Sequence, residues 1–464
     1  MLLSRIAQVI DAKNLQNCSQ MNDFDVNQFS TDTRNLQKND LFIALRGPNF
    51  DGHSYLKEAS KKGCAAAIVD TFDATINMPQ HVVKDTRIAL GLMAEAWRQQ
   101  FESLKVVGIT GSCGKTTVKE MLSAILSEVA PTLATHGNFN NDIGVPLSLL
   151  RLNSSHRYAV LELGANAMGE IAYSAKLIHP DVAVITNAAA VHVEGFGSVS
   201  NIAKEKGELY KALGIHGCAV VNGDDPSSQL WLSEIEETGS KRLICTESMY
   251  SESDKVEADF WLEKIHSMES GGYRYDICSP SSRISIRSEL LGFHNVSNSL
   301  LAAAVAKSLD VPDDAIKEGL EKAKPAPGRL NIYTENGFDV ILIDDTYNAS
   351  PHSVTAAIEL LSHYPTEQLL ILGEMGELGD ESEKYHLQIG QCAKEKGIHK
   401  ILATGQYSQA VLEGFAGHGV SFEKQEALII ALPEYLKAGM TVLVKGSRSA
   451  HMEKVINAIR ESAA

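Results

Sequence analysis

The densest chemistry in this 464-residue chain is the run Gly111-Ser112-Cys113-Gly114-Lys115-Thr116-Thr117, which joins the apolar stretch KVVGIT (105–110) to an amphipathic one. Glycines let backbone N–H groups turn inward around a phosphate, and the N-terminus of a following helix adds positive potential. Lys115 would reach the β- and γ-phosphates of a nucleotide, and the Thr116 hydroxyl would ligate Mg²⁺. Val118, Met121, Leu122, Ile125, Leu126 and Val129 recur behind the loop at helical spacing. The strict G-x-x-x-x-G-K-[ST] pattern wants glycine where this chain has Ile109. Strand, loop, GKTT and helix together still predict a nucleotide-phosphate site over the bland alternative, a Gly-rich turn with an unrelated lysine. Cys113, inside the loop, should have its thiol pKa lowered by the helix N-terminus. The loop alone fits an ATP-using enzyme, a GTPase switch or a motor; the chain has no Asn-Lys-x-Asp guanine motif, which weakens the switch.

Two further residues sit where chemistry is expected. Glu162 closes the strand-like YAVLEL, where a carboxylate either holds Mg²⁺ or is a solvated strand end. His192, in TNAAAVHVEGFG, reads by itself as a structural loop histidine.

Positioning these groups requires parallel strands. The runs KVVGIT (105–110), YAVLEL (158–163), DVAVIT (181–186) and CAVVN (218–222) alternate with helical stretches, the pattern of βαβ units. Before them, residues 1–85 mix short strands (DLFIAL, AAAIVD) with polar turns, and TRIALGLMAEAWRQQF (86–101) predicts a helix leading into the central block. Residues 258–292 are β-rich and polar, expected as an antiparallel appendage, and HNVSNSLLAAAVAKSL (294–309) is expected as a helix. KPAPGRL (324–330) reads as a hinge, after which DVILID, QLLILG, KILAT and TVLVKG predict a second parallel sheet. The expected division is 1–100, 101–323 and 324–464.

Composition bounds the partners. Asp plus Glu number 58 against 42 Lys plus Arg, a formal charge of −16, which argues against general nucleic-acid or membrane-surface binding. Seven scattered cysteines with no Cys-x-x-Cys pair fit reduced thiols. The opening MLLSRIAQVIDAKN carries Arg5 and Asp11 and is not read as a signal peptide, and no apolar run is long enough to span a membrane. A cytoplasmic protein is expected.

The motifs ITGSCGKTT, LELGANAMGEI, NAAAVHVEGFGS, AKEKGELY and GFHNVSN together resemble the Mur ligase family, ATP-dependent amino-acid ligases of peptidoglycan synthesis, over nearly the whole chain. The resemblance implies an α/β protein of three domains: a small α/β UDP-binding domain, a central P-loop parallel-sheet ATPase domain, and a C-terminal Rossmann-like α/β domain that binds the incoming dipeptide. It implies ATP and Mg²⁺, with Thr110 to Thr117 (Thr110, Gly111, Ser112, Cys113, Gly114, Lys115, Thr116, Thr117), Asn295, Arg329, Asp345 and Tyr347 at the nucleotide. Thr116, Glu162, His192 and a carbamylated lysine would stand on the metal side. The K-x-x-x-[YF] spacing puts that lysine at Lys206, with Tyr210, rather than at Lys204. Lys115, Glu162, His192 and Lys206 are the implied catalytic set. Asn295 could equally be a helix N-cap.

FSTDTRNLQKNDLFIALRGPNFDGH is similar to the family's uridine-binding domain, which implies UDP-substrate contacts at Thr33, Arg34, Asn49, Gly52 and His53. Read alone, NFDGH is a polar turn. GNFNNDIGVPLSLL should line the muramoyl side through Asn138 and Asn141. IDDTYNASPHS, LGEMGELG and VKGSRSAHME look like the D-alanyl-D-alanine-adding branch, and an Asp-Asn-Pro-Arg motif is absent. Asn348, Ser447 and Arg448 are then the dipeptide candidates; Ser350 stands where the family more often has asparagine. The implied substrates are UDP-N-acetylmuramoyl-tripeptide, D-alanyl-D-alanine and ATP, used by a monomer. The competing expectations are a folylpolyglutamate-type ligase and a non-catalytic P-loop regulator.

Overall fold

The aliphatic, β-branched runs of the central block have no polar face, which suits strands covered by helices on both sides. In the computed structural model they form a nine-stranded sheet. From one edge its order is Ser282–Ser288, Tyr273–Ser279, Phe260–Ser267, Lys241–Thr246 and Cys218–Asn222. It continues through Val182–Ile185, Lys105–Thr110 and Tyr158–Glu162 to Thr132–Ala134. The structure describes residues 2–10, 15–16, 25–47, 50–191, 193–249, 257–269, 271–334 and 337–461.

Strand Lys105–Thr110 lies inside this sheet, parallel to both neighbours. Val107 and Ile109 pack on one face with Val118, Met121 and Leu122 of the helix Lys115–Ser127. Val106 packs on the other. Strands Val182–Ile185, Lys105–Thr110 and Tyr158–Glu162 all end on one side, the edge where ligands bind in parallel α/β sheets.

Residues 258–292 are no separate appendage. Phe260–Ser267 pairs parallel to Lys241–Thr246, a strand not foreseen, and two antiparallel strands extend the same sheet. The reason is packing: Phe260, Leu262, Tyr275, Ile277, Ile284 and Ile286 join the core that holds Val107 and Ile109.

The N-terminal residues form a five-stranded mixed sheet. The helix Thr86–Arg98, its first turn capped by the Asp85 carboxylate, buries Leu90, Met93 and Ala94. These belong to one apolar cluster with Ile43 and Ile68 of the first sheet and Val106 and Leu161 of the central one.

The C-terminal residues form a six-stranded sheet, parallel except for the edge strand Asn331–Tyr333. The expected strands appear as Ile341–Asp345, Gln368–Leu372, Lys400–Thr404 and Thr441–Lys445. The short edge strands Asn331–Tyr333 and Gly419–Phe422 carry little apolar signal and were not foreseen. Among the described residues no helix is long and apolar enough to cross a membrane.

Candidate active site

The loop after Lys105–Thr110 turns where glycine is required. Gly114 has φ +84°, and a Cβ there would meet Asn298 Oδ1 at 2.7 Å; one on Gly111 would fall 1.8 Å from Thr186 Oγ1. Lys115 folds back over the loop, its Nζ donating to the carbonyls of Gly111 at 2.5 Å and Ser112 at 3.4 Å. Burial pushes its ammonium pKa down, and Glu162 opposes that. Two expected anion donors are already committed: Ser112 N–H donates to the Asn187 carbonyl at 2.9 Å and Cys113 N–H to Asn187 Oδ1 at 3.0 Å. The N–H groups of Gly114 to Thr117 have no helical acceptor by position, which leaves them as donors for a ligand. The Thr110 hydroxyl turns away to the Leu163 carbonyl, at 2.8 Å.

Thr116, in the first turn of the helix, meets Glu162 at the end of the neighbouring strand, the hydroxyl donating to Oε2 at 2.9 Å. Asn140, which the sequence reading passed over in favour of Asn138 and Asn141, donates to the other oxygen of Glu162 at 2.8 Å. Asn138 and Asn141 are exposed on the same cavity, and Asn141 Oδ1 accepts the Gly144 N–H at 2.8 Å. Lys206 is 4% exposed and lines the cavity, whereas Lys204 faces solvent. Burial, helped by the Lys115 charge, pushes the Lys206 pKa down to about 7. Tyr210 is structural: its phenol accepts from Ile185 N–H at 3.2 Å and donates to the Val220 carbonyl at 2.7 Å.

The third domain closes the site. Arg329 donates to Thr116 Oγ1 at 3.1 Å and stacks 4.2 Å above the Tyr347 ring. Lys445 pairs with Asp345 at 2.5 Å and donates to the Asn348 carbonyl at 2.9 Å. Burial pushes the Asp345 carboxyl up, against the pull of Lys445 and Arg329. Ser350 caps the helix Pro351–Ser362 in a capping box with Ser353, and its hydroxyl lies 3.7 Å from Cys113 Sγ. Burial pushes the Cys113 thiol up, but hydrogen bonds from His352 and Ser350 and the charges of His352 and Lys115 outweigh it, so the net direction is down. The direction agrees with expectation; His352 and Ser350, the hydrogen-bonding partners, come from another domain. Ser447 is buried and Arg448 is exposed, paired with Glu453 at 3.3 Å.

Asn295 is not an N-cap. Gly292 caps the helix Phe293–Ser308, and Asn295, inside its first turn, donates to the Leu291 carbonyl at 2.7 Å while accepting from Asn298 at 3.0 Å. Of the uridine-type residues, Thr33, Arg34, Gly52 and His53 do not line this cavity. His53 sits between two carboxylates, Asp51 at 2.9 Å and Asp70 at 3.1 Å. Gly52 has no room for a side chain, since a Cβ would lie 2.8 Å from the Leu45 backbone. Thr33 is buried, its carbonyl accepting from Lys62 at 2.7 Å, and the exposed Arg34 pairs with Asp32. Asn49 and His192 lie outside the described residues.

One cavity of about 940 Å³ is therefore lined by Lys115, Glu162, Lys206, Asn295, Arg329, Asp345 and Ser447 together. Among the described residues no three His, Cys, Asp or Glu side chains converge as metal ligands. The Thr116 hydroxyl and the Glu162 carboxylate are hard oxygen donors in contact, a set that suits Mg²⁺.

Comparison with known proteins gives a consistent result. The Mur ligase middle domain matches residues 109–306, and the Mur ligase, glutamate ligase domain matches residues 328–448. The UDP-N-acetylmuramoyl-tripeptide--D-alanyl-D-alanine ligase of Escherichia coli (strain K12) is 42% identical over 442 residues, 95% of each chain. A crystal structure of MurF from Acinetobacter baumannii superposes with a TM-score of 0.91 at 34% identity, covering 99% of this chain and 98% of that one. MurF ligase from Thermotoga maritima in complex with ADP gives 0.82 at 27% identity, covering 94% and 98%.

Proposed function

The chain belongs to the Mur ligase family, and from that premise we infer that it joins D-alanyl-D-alanine to UDP-N-acetylmuramoyl-tripeptide at the expense of ATP, a step of peptidoglycan precursor synthesis. The observation that carries this is the convergence of Lys115, Glu162 and Lys206 of the central domain with Arg329 and Asp345 of the third on one cavity. A folylpolyglutamate-type activity is disfavoured because the curated relative matches 95% of the chain. We place the domain boundaries at 100/101 and 323/324, just after the helices Thr86–Arg98 and Asp313–Lys322.

The proposed chemistry starts with the tripeptide's terminal carboxylate attacking the γ-phosphate of ATP, releasing ADP and giving an acyl phosphate. The dipeptide amine then attacks that carbonyl, and phosphate leaves. A bare carboxylate acylates poorly; phosphate is the better leaving group. Lys115, the N–H groups of Gly114 to Thr117 and Arg329 supply positive charge where negative charge gathers on the transferring phosphoryl group. Thr116, Glu162 and Lys206, with His192, would hold Mg²⁺, which when bound neutralises phosphate charge. Asn140 keeps Glu162 turned toward Thr116. Lys206, buried beside Lys115, would serve as a carbamate: its neutral amine would form an N–C bond to CO₂ and give up a proton to solvent, leaving an anionic oxygen donor. The Asn348, Ser447 and Arg448 wall would take the dipeptide, and the His53 cluster on the first domain the uridine end. Closure of the domains around three ligands would exclude water from the acyl phosphate.

The test is ligation read by mass spectrometry, offering the tripeptide with diaminopimelate or lysine at its third position. Phosphate release should need ATP, tripeptide and dipeptide together. Release that ignores the two peptides would overturn the assignment in favour of a nucleotide switch.

A further inference from the structure

We infer that Asn187 is the positioning residue of the phosphate loop: its side-chain amide holds both the N–H and the carbonyl of Cys113 and thereby aims the donors that follow. The inference rests on reading that loop as the ATP site. Strands Val182–Ile185 and Lys105–Thr110 are parallel neighbours, so the segments leaving them run side by side. Thr186 N–H still donates to the Thr110 carbonyl at 3.0 Å, and Ser112 N–H to the Asn187 carbonyl at 2.9 Å. Between them the loop strand swings away at Gly111, φ +152°, and the regular ladder cannot follow. Asn187 spans the gap with its side chain. Its Oδ1 accepts Cys113 N–H at 3.0 Å and its Nδ2 donates to the Cys113 carbonyl at 3.1 Å. The Thr186 hydroxyl donates to that same carbonyl at 2.5 Å.

A carboxamide offers an acceptor and a donor side by side on one planar, uncharged group. It replaces a missing rung of backbone pairing. Gly114 comes next in the chain, with φ +84°, and the helix starts at Lys115. The Cys113 carbonyl shares its peptide plane with the Gly114 N–H, so fixing both backbone groups of Cys113 fixes the direction in which the N–H groups of Gly114 to Thr117 set out. Ser112 tightens the seam further: its hydroxyl donates to the Ala189 carbonyl at 3.0 Å and accepts Ala189 N–H at 2.9 Å. If Asn187 merely ended a strand, its loss would cost stability and nothing specific to nucleotide.

The test uses the full chain, ADP as probe, and the variants Asn187→Ala and Thr186→Val. Titration calorimetry should show ADP affinity falling about tenfold or more in Asn187→Ala, and less in Thr186→Val, which removes one of two donors to the carbonyl. Affinity for UDP-N-acetylmuramoyl-tripeptide should stay within about twofold, the uridine cluster lying on another domain. Alkylation of Cys113, followed by peptide mass spectrometry, should speed up in Asn187→Ala while the buried cysteines do not change. Wild-type ADP affinity with wild-type Cys113 labelling would overturn the clamp. So would a parallel loss of both ligands with a lowered Tm, which marks a folding residue. If the wild type binds no ADP, the ATP-site reading fails instead, and the Cys113 labelling rate still decides whether Asn187 holds the loop.

Discussion

Arg329 and Thr116 stand 213 positions apart in the chain and are joined by a 3.1 Å hydrogen bond from the guanidinium to the hydroxyl. The contact ties the third domain to the first turn of the phosphate-loop helix. Stacking on Tyr347 at 4.2 Å orients the guanidinium plane, which a lysine cannot reproduce. Arg329→Lys should therefore raise the KM for ATP about tenfold and lower kcat, while Tyr347→Phe, which keeps the stacking face, stays near wild type. Steady-state kinetics with ATP varied would check this; an Arg329→Lys variant with unchanged kinetics would show that charge alone suffices.

Lys206→Ala should lose nearly all activity, and a small carboxylate such as acetate should partly restore it by standing in for the carbamate oxygens. Lys204→Ala, on the solvent side of the same helix, should behave like wild type. Activity in Lys206→Ala without added carboxylate would remove the carbamate from the mechanism.

His53→Ala should weaken UDP-N-acetylmuramoyl-tripeptide binding, because it unties Asp51 from Asp70 beside the expected uridine site. ADP affinity, measured by the same calorimetry, should hold. Equal losses for both ligands would mark His53 as a folding residue.

Cys113 should react with iodoacetamide faster than the buried cysteines, since His352 and Ser350 bonding favours its thiolate over the cost of burial. Alkylation should inactivate the enzyme and MgADP should protect it. Cys113→Ser should resist; inactivation of that variant at the wild-type rate would place the reactive thiol elsewhere.

His81 is fully buried on the strand Gln80–Val82, with no partner for either ring nitrogen among the described residues. Burial lowers its pKa from 6.5 to about 4. The unfolded chain then takes up a proton that the folded one refuses, so stability is complete above pH ~6.5 and is lost as pH falls toward ~4. The loss reaches about 3 kcal/mol, which Tm measured between pH 7 and 4.5 would register. His81→Leu should flatten that profile; an unchanged profile would assign the acid sensitivity to carboxylates.

The loop, Lys115, Thr116 and Glu162 were legible because their chemistry is written in contiguous residues at strand ends. Asn187 was not, since its partner Cys113 lies 74 positions away and nothing in TNAAA marks an amide that pairs with a distant backbone. Likewise three asparagines within NFNN look alike, and only the turn of the chain shows that Asn140, not Asn138, meets Glu162. Lys204 and Lys206 were separated by a family spacing, which burial on one helix face then explains physically. The β-rich region 258–292 misled because its polar alternation, typical of a one-sided sheet, said nothing of the strand it would join.

The apolar cluster that runs unbroken from Ile43 through Leu90 to Leu161 has a thermodynamic consequence. A sheet whose buried face is completed by its neighbour cannot lose that neighbour without exposing the face to water, so the first two domains should melt as a single cooperative unit. The clusters of the third sheet, around Ile343 on one face and Leu342 on the other, take only Leu291 from the central block, so this sheet should unfold separately. Scanning calorimetry should then resolve two transitions rather than three. A fragment cut near residue 100 should precipitate, whereas one beginning near residue 324 should stay folded.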